Sequence, residues 1–249
     1  METRFHPLPS PVLGTQRTLV SLHFGTGLRG PKMYLQAGLH ANEMPGLLVM
    51  NVLQERLLAL EKDHQLCGEV ALVPVANPIG LGQIVVGSHI GRFELCSSEN
   101  FNRGFPQLAD YVIEALGPSF AGDAASRIHT ARARLRQAIE ARRVAETQEL
   151  QAMRLTLLAL APDADVVLDL HCDREAVMHV YTHDDMLADG RALSDRLGAH
   201  ALFYNDSEPG GRLRRHVGAD MGEAACGVVG AYGACRTDLR RHGGIPRTA

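Results

Sequence analysis

Two strand-like segments with a helix-like stretch between them restrict the fold of this chain more than any other feature. Residues 33–37 and 69–75 are mostly apolar and have the length of buried strands. From Met44 to Leu60, apolar side chains recur at the spacing of a helix that buries one face. Pro45 suits the first helical turn, where a missing N–H leaves no partner unsatisfied. This order predicts an α/β fold in which helices cover a sheet.

The same kinds of segment recur along the rest of the chain. Residues 18–24, 165–170 and 177–181 are predicted strands, and residues 124–160 are predicted to be helical, as one helix or two. Residues 77–106 are rich in Gly, Ser, Asn and Pro and are predicted to be irregular. A loop of this length is uncommon in a compact domain unless it is functional. We therefore expect part of the functional site in this loop.

The overall composition argues against several classes of protein. The net charge of −3 disfavours nucleic acid or an anionic membrane as partner. The arginine run of the helical segment is interpreted as a solvated face; it consists of Arg127, Arg132, Arg134, Arg136, Arg142 and Arg143. The five cysteines are odd in number and lack CxxC spacing, which argues against a disulfide framework or a zinc ribbon. The sequence shows no secretory signal and no apolar run of about 18 residues, so we expect a cytoplasmic protein.

A histidine and a glutamate lie where the first apolar strand passes into the apolar helix. His40 and Glu43 form a His-x-x-Glu motif, which can supply two of the three protein ligands of a catalytic zinc ion. So short a motif recurs by chance. Its position gives it weight, because a strand end and a helix start can aim both side chains at one point.

The segment DLHCD at residues 169–173 ends another apolar strand. Ligands of open α/β sheets collect at the carboxyl ends of the strands, so His171 and His40 are expected to converge. Asp169 or Asp173 would then orient the His171 ring through its second nitrogen, as metal-bound imidazoles require. The alternative is that His171 is a core or capping histidine without a ligand.

The predicted loop carries a second group of polar residues. Asn102 and Arg103 form an Asn-Arg pair, and Arg92 precedes them in the same loop. A guanidinium grips a carboxylate through two charge-assisted hydrogen bonds, so this group suits capture of a substrate carboxylate. The alternative is a loop arginine that pairs with a nearby acidic side chain.

Taken in order, the segments GLHANEMPGLL, NPIG, GRF, NFNRGFP and DLHCD resemble the succinylglutamate desuccinylase/aspartoacylase branch of the zinc carboxypeptidase superfamily over roughly residues 20–210. The resemblance implies a carboxypeptidase-like fold with a mixed, mostly parallel sheet between helices. It implies that His40, Glu43 and His171 bind one zinc ion. It also implies that Arg92 polarises the scissile carbonyl and that Asn102 and Arg103 bind the substrate carboxylate.

The activity implied by this resemblance is hydrolysis of an N-acyl amino acid or a similar amide by metal-activated water. The expected partner is a small carboxylate-bearing molecule, and homo-oligomer formation is left open. Two alternatives remain: a non-catalytic relative that binds zinc or a ligand, and a metallo-carboxypeptidase that acts on peptides.

The tail of the sequence departs from the family pattern. The family's general-base glutamate lies on a late strand in a stretch like T-V-E-x-R-G, and no such stretch follows residue 211. We therefore divide the chain into a catalytic domain at 1–211 and an atypical tail at 212–249, either disordered or translated out of frame. Residues 213–217 and 240–246 can be encoded by codons that, read one base later, give Phe-Asp-Asp-Thr-Trp and Val-Val-Thr-Val-Glu-Tyr. Without this base, we expect zinc binding with impaired turnover.

Overall fold

The computed structural model describes residues 1–108, 112, 114, 123–172, 175–205 and 228–231. Within them, eight strands form one sheet, and two short strands form a separate hairpin. The strands of the sheet are β1 (Glu2–Pro7), β2 (Thr18–Phe24), β3 (Lys32–Ala37), β4 (Glu69–Val73), β7 (Val166–His171), β8 (His179–His183), β9 (Ala201–Asn205) and β10 (Val228–Ala231). The hairpin is β5 (Ile84–Val85) and β6 (Ser88–His89). The helices are α1 (Met44–Lys62), α2 (Pro78–Leu81), α3 (Ala124–Ala145), α4 (Glu149–Leu160) and α5 (Leu187–Leu197), with a 3-10 turn at Asp184–Met186 before α5.

The sheet is mixed and mostly parallel, as predicted. Its strand order is β1-β2-β4-β3-β7-β10-β8-β9. The β4–β3, β3–β7, β10–β8 and β8–β9 pairs are parallel, and the remaining three pairs are antiparallel. The α/β fold class and the mixed sheet are therefore confirmed.

Helices cover both faces of the sheet, because successive strand residues point to opposite sides. On one face Leu35 of β3 packs in a core with Met50 of α1, and α5 contributes Leu193 to the same core. On the other face Tyr34 of β3 packs with Met153 of α4. The predicted three-layer arrangement follows from this alternation.

Most of the predicted elements are present, with ends shifted by a few residues. The predicted strand at 18–24 coincides with β2, and the helical segment 124–160 divides into α3 and α4. The segment 77–106 is largely irregular, although it contains α2 and the β5–β6 hairpin. The sequence pattern did not reveal β1, whose side chains are mostly exposed and therefore lack an apolar period.

Residues 206–227 and 232–249 lie outside the described residues. Of the atypical tail, only Val228–Ala231 is described; it forms β10, between β7 and β8. The sequence pattern did not indicate this strand. The domain division at residue 211 and the out-of-frame hypothesis stay predictions.

None of the helices in the described part of the chain is both long and apolar enough to cross a bilayer.

Candidate metal centre

The two candidate histidines lie at the ends of neighbouring parallel strands. Strands β3 and β7 are paired so that Ala37 lies opposite Leu170. His171 is the last residue of β7, and His40 follows β3 by three residues. Because the strands run in the same direction, both imidazoles reach the same edge of the sheet.

The turn between β3 and α1 is held by hydrogen bonds from two other parts of the chain. Asn77 donates through Nδ2 to the Leu39 carbonyl at 2.8 Å. The Ala41 amide donates to the Gly91 carbonyl, also at 2.8 Å. No residue with a side chain fits at position 91, because a Cβ on Gly91 would lie 2.2 Å from the backbone nitrogen of Asn42. These contacts fix the direction in which His40 leaves the sheet.

Glu43 is brought to the histidines by the close packing of α1 on the sheet. Glu43 immediately precedes α1, and Gly46 lies in the first turn. A Cβ on Gly46 would lie 3.2 Å from the Cβ of Ala37 and 3.4 Å from that of Leu170. The small residue therefore lets the start of the helix approach the ends of β3 and β7.

The side chains of His40, Glu43 and His171 form one compact cluster. Oε1 of Glu43 lies 2.9 Å from Nδ1 of His40, and Oε2 lies 3.0 Å from Nδ1 of His171. One ligand atom from each residue lies within 4.8 Å of the others. His40 and Glu43 are buried, with 4% and 5% of their surface exposed. These two side chains are therefore shielded from bulk water, whereas His171 is partly exposed.

The outward nitrogens of both imidazoles also have partners. Nε2 of His40 lies 3.0 Å from Oδ1 of Asn100, and Nε2 of His171 lies 2.9 Å from Oδ2 of Asp169. An acceptor at Nε2 keeps the proton there and leaves Nδ1 free to bind a metal. Bonds of about 2.0–2.2 Å from zinc to nitrogen and oxygen suit a cluster of this size. The donor set therefore fits zinc.

The sequence indicates only one of these two hydrogen-bond partners of the imidazoles. Asp169 was one of two candidates for orienting His171, and the other, Asp173, lies outside the described residues. The sequence does not distinguish Asn100, although it belongs to the NFNR segment of the predicted functional loop. Only its position next to Asn102 and Arg103 could have indicated a role, because asparagine is common in loops.

Glu43 and His171 shift each other's pKa values, because their side chains lie within hydrogen-bond distance. Burial alone would raise the pKa of Glu43, but hydrogen bonds from the His171 and His40 rings outweigh it and lower the pKa to about 2. Burial alone would lower the pKa of His171, yet the Asp169 carboxylate and Glu43 raise it to about 10. Without a metal, Glu43 therefore stays ionised beside a protonated His171.

The candidate substrate residues share one loop, residues 92–104. Phe93 and Asn100 form an antiparallel bridge, and the Phe101 amide donates to the Arg92 carbonyl at 3.1 Å. This pairing brings the start and the end of the loop together. We call residues 92–104 the hairpin loop; this segment follows the β5–β6 hairpin and is separate from it.

The hairpin loop places its candidate residues at different distances from the cluster. Nη2 of Arg92 donates to Oε1 of Glu43 at 2.8 Å. Nδ2 of Asn102 lies 3.4 Å from Nε2 of His171. Arg103 is exposed and donates to the Asn102 carbonyl. Arg92 and Asn102 thus adjoin the cluster, whereas Arg103 lies at the outer side of the loop.

Comparisons with known proteins point to one family. The family model described as the succinylglutamate desuccinylase/aspartoacylase catalytic domain matches residues 29–236. No curated protein matches the chain at a significant level.

Solved structures show the same relationship. A succinylglutamate desuccinylase/aspartoacylase family protein from Shewanella amazonensis SB2B is 27% identical, with a TM-score of 0.64, over 76% of this chain and 51% of that one. A second such protein, from Shewanella frigidimarina, is 22% identical with the same TM-score, over 76% of this chain and 50% of its own. The chain therefore spans about half the length of these two relatives.

Proposed function

The chain belongs to the succinylglutamate desuccinylase/aspartoacylase family, and on that premise we propose that it binds one zinc ion through His40, Glu43 and His171. We further propose that this centre is built to hydrolyse the amide of an N-acyl amino acid. The observation that carries the proposal is the convergence of two imidazole Nδ1 atoms on the Glu43 carboxylate. Each outward nitrogen also faces an acceptor, which is the arrangement that fixes the tautomer of a metal-bound imidazole.

The proposed reaction divides its tasks between the metal and the surrounding side chains. Bound zinc would lower the pKa of a coordinated water toward about 7 and polarise the scissile carbonyl. Arg92 lies against Glu43, so its guanidinium is placed to stabilise negative charge that develops beside the ion. Its side chain is 40% exposed, which leaves it accessible to a substrate.

Asn102 and Arg103 are proposed to bind the substrate carboxylate. Asn102 lies beside His171, and Arg103 follows it on the outer side of the hairpin loop. A carboxylate held there would direct the rest of a small substrate toward the cluster. The proposed partner is therefore a small carboxylate-bearing molecule.

Turnover is proposed to be weak because the sequence lacks the family's late glutamate stretch and, within the described residues, no free carboxylate adjoins the imidazoles. Within the described residues, the carboxylates hydrogen-bonded to its imidazoles are those of Glu43 and Asp169. Glu43 is a proposed ligand, and Asp169 lies behind the His171 ring. Neither is placed to take a proton from a metal-bound water and pass it to the leaving amine.

The experiment that tests the metal centre is elemental analysis of the purified chain. We expect about one zinc per chain and its loss in His171→Ala. The control is His200→Ala, because His200 is exposed and precedes β9, which two strands separate from β7. No zinc in the unaltered chain, or equal zinc in both variants, would refute the centre.

A second measurement separates hydrolysis from its alternatives. The zinc-loaded chain would be assayed with N-succinylglutamate, with an N-acylaspartate and with a peptide that has a free carboxyl end. Slow cleavage of an N-acyl amino acid supports the proposal. Rapid cleavage favours an intact catalytic machinery, cleavage of the peptide alone favours a carboxypeptidase, and zinc binding without any cleavage favours the non-catalytic alternative.

A further inference from the structure

An arginine lies fully buried beneath the hairpin loop. Arg154 is on α4, the helix that packs on the Tyr34 face of the sheet, and none of its surface is exposed. Nη1 donates to Oε2 of Glu99 at 2.7 Å, and Nη2 donates to the Asn100 carbonyl at 3.1 Å. One guanidinium therefore holds two successive residues of the loop.

The position is an unfavourable one for a charged side chain. Burying a charge requires desolvation that a single ion pair does not fully offset, and an apolar residue of similar size often stabilises a core as well or better. Nε of Arg154 is buried and has no hydrogen-bond acceptor among the described residues. Packing alone therefore does not account for an arginine at this position.

The residues held by Arg154 connect directly to the metal cluster. Oδ1 of Asn100 lies 3.0 Å from Nε2 of His40 and accepts a hydrogen bond from the Asn102 amide at 2.8 Å. The backbone of Asn100 is thus fixed by Arg154, while its side chain fixes a proposed zinc ligand. The same side chain also sets the direction of the chain toward Asn102.

Gly104 shows that the loop closes tightly over the guanidinium. A Cβ on Gly104 would lie 3.0 Å from Nη1 of Arg154 and 3.2 Å from Oε2 of Glu99. Gly104 also has a φ of +67°, a conformation that favours glycine. The loop therefore returns directly over the Arg154–Glu99 ion pair.

We propose that Arg154 is a positioning residue for the metal centre and that it acts through Asn100. It holds the hairpin loop against the sheet, so that Asn100 orients the His40 ring and Asn102 stays beside His171. The effect on zinc rests on the metal centre proposed above. The effect on the loop does not, because every contact of Arg154 described here exists without a metal.

The test compares Arg154→Met, Asn100→Ala and the double variant with the unaltered chain. Arg143→Met serves as control, because Arg143 also forms an ion pair, with Glu140, but on the exposed surface of α3. Hydrogen–deuterium exchange of the metal-free chain reports the order of the loop. Competition with a chelator gives zinc affinity, and the visible spectrum of the cobalt-substituted chain reports the geometry of the ligands.

We expect Arg154→Met to raise amide exchange at residues 92–104 at least tenfold, with α1 and β3 unchanged. Zinc affinity should fall about tenfold in Arg154→Met and about 10–100-fold in Asn100→Ala, the range found when partners of metal ligands are removed. The double variant should lose no more zinc affinity than Asn100→Ala, because both changes interrupt the same series of contacts from Arg154 through Asn100 to His40. Arg154→Lys should restore part of the loop order by keeping the charge beside Glu99.

Unchanged exchange in the loop would overturn the proposal, as would additive losses of zinc affinity in the double variant. A chain that binds no zinc but shows the expected loop exchange would refute the metal centre and leave the loop-holding role of Arg154 intact. If Arg154→Met does not fold, Glu99→Gln provides the same test, because Glu99 is 46% exposed and tolerates the change better. It should raise loop exchange in the same way, and unchanged exchange would again count against the role.

Discussion

Nε2 of His171 lies 2.9 Å from Oδ2 of Asp169, on the side of the ring opposite the nitrogen that faces Glu43. The two residues are separated by one position on β7, so the alternation of the strand places them on the same face. The other oxygen of Asp169 is buried and has no hydrogen-bond partner among the described residues. The ring of His171 is thus held between the carboxylates of Glu43 and Asp169, and within the described part of the chain Oδ1 of Asp169 stays without a partner.

Loss of the Asp169 charge should weaken metal binding. We expect Asp169→Asn to lower zinc affinity about 10–100-fold, because an amide holds the His171 ring less firmly and no longer increases its basicity. Chelator competition measures the change. Asp195→Asn on the exposed side of α5 is the control and should leave the affinity as it was. Equal affinities in the two variants would show that Asp169 does not support the centre.

The sequence could predict the parts of the site that depend on local pattern. His40 and Glu43 follow an apolar strand and open an apolar helix, and His171 ends a second apolar strand. Strand ends in a parallel sheet meet at one edge, so the convergence of these three residues could be expected without a structure. The prediction succeeded because it required only the order of elements along the chain.

The parts that depend on distant contacts could not be predicted. Arg154 lies in a helical segment with many other arginines and nothing in its local sequence distinguishes it, because its contact with Glu99 spans 55 positions. Strand β10 pairs with β7 and β8 from far along the chain, and its short sequence has no strand period. Burial of a charge and pairing of remote strands are decided by packing, which a single sequence does not display.

Arg92 should compete with zinc for Glu43. In the metal-free chain its guanidinium donates to Oε1 of Glu43, an oxygen that also faces His40. Removing this cation frees the carboxylate, so we expect Arg92→Met to raise zinc affinity a few-fold. Any hydrolysis of an N-acyl amino acid should fall about 10²–10³-fold in the same variant, since an oxyanion-stabilising group is lost.

Affinity and turnover would be measured on the same preparations of Arg92→Met. Arg103→Met is the matched control, because Arg103 is exposed and donates to a backbone carbonyl of its own loop. It should change substrate binding but not zinc affinity. A tenfold loss of zinc affinity in Arg92→Met would contradict the expected competition.

The close approach of Gly104 to Arg154 should make this glycine hard to replace. Gly104→Ala forces a side chain into a left-handed conformation, which costs about 1–2 kcal/mol, and also presses a Cβ against the guanidinium. Gly14 has a φ of +83° but nothing within 4 Å of its Cβ position. Gly14→Ala is therefore a control for backbone strain alone. Urea denaturation should show a larger loss of stability for Gly104→Ala than for Gly14→Ala. Equal losses would mean that the loop accommodates the added Cβ without a further cost.

His23 should make the stability of the fold depend on pH. It is largely buried on β2, its Nε2 lies 2.8 Å from Oγ of Ser21, and burial together with the nearby charge of Arg4 lowers its pKa to about 4. An unfolded histidine has a pKa of about 6.5. Between these values the unfolded chain binds a proton that the folded chain does not, so the free energy of unfolding rises with pH from about 4 to about 6.5.

The size and the test of this effect follow from the same difference in pKa. At about 1.4 kcal/mol per pKa unit, protonation of His23 removes at most about 3 kcal/mol of stability by pH 4. The charged groups around His23, namely Arg4, Lys32, Glu2 and His6, remain in place in His23→Gln. Urea denaturation at pH 4.5 and at pH 7 should therefore show a smaller loss on acidification in His23→Gln than in the unaltered chain. His200→Gln, which replaces an exposed histidine, should keep the full loss; if His23→Gln keeps it too, another group causes the pH dependence.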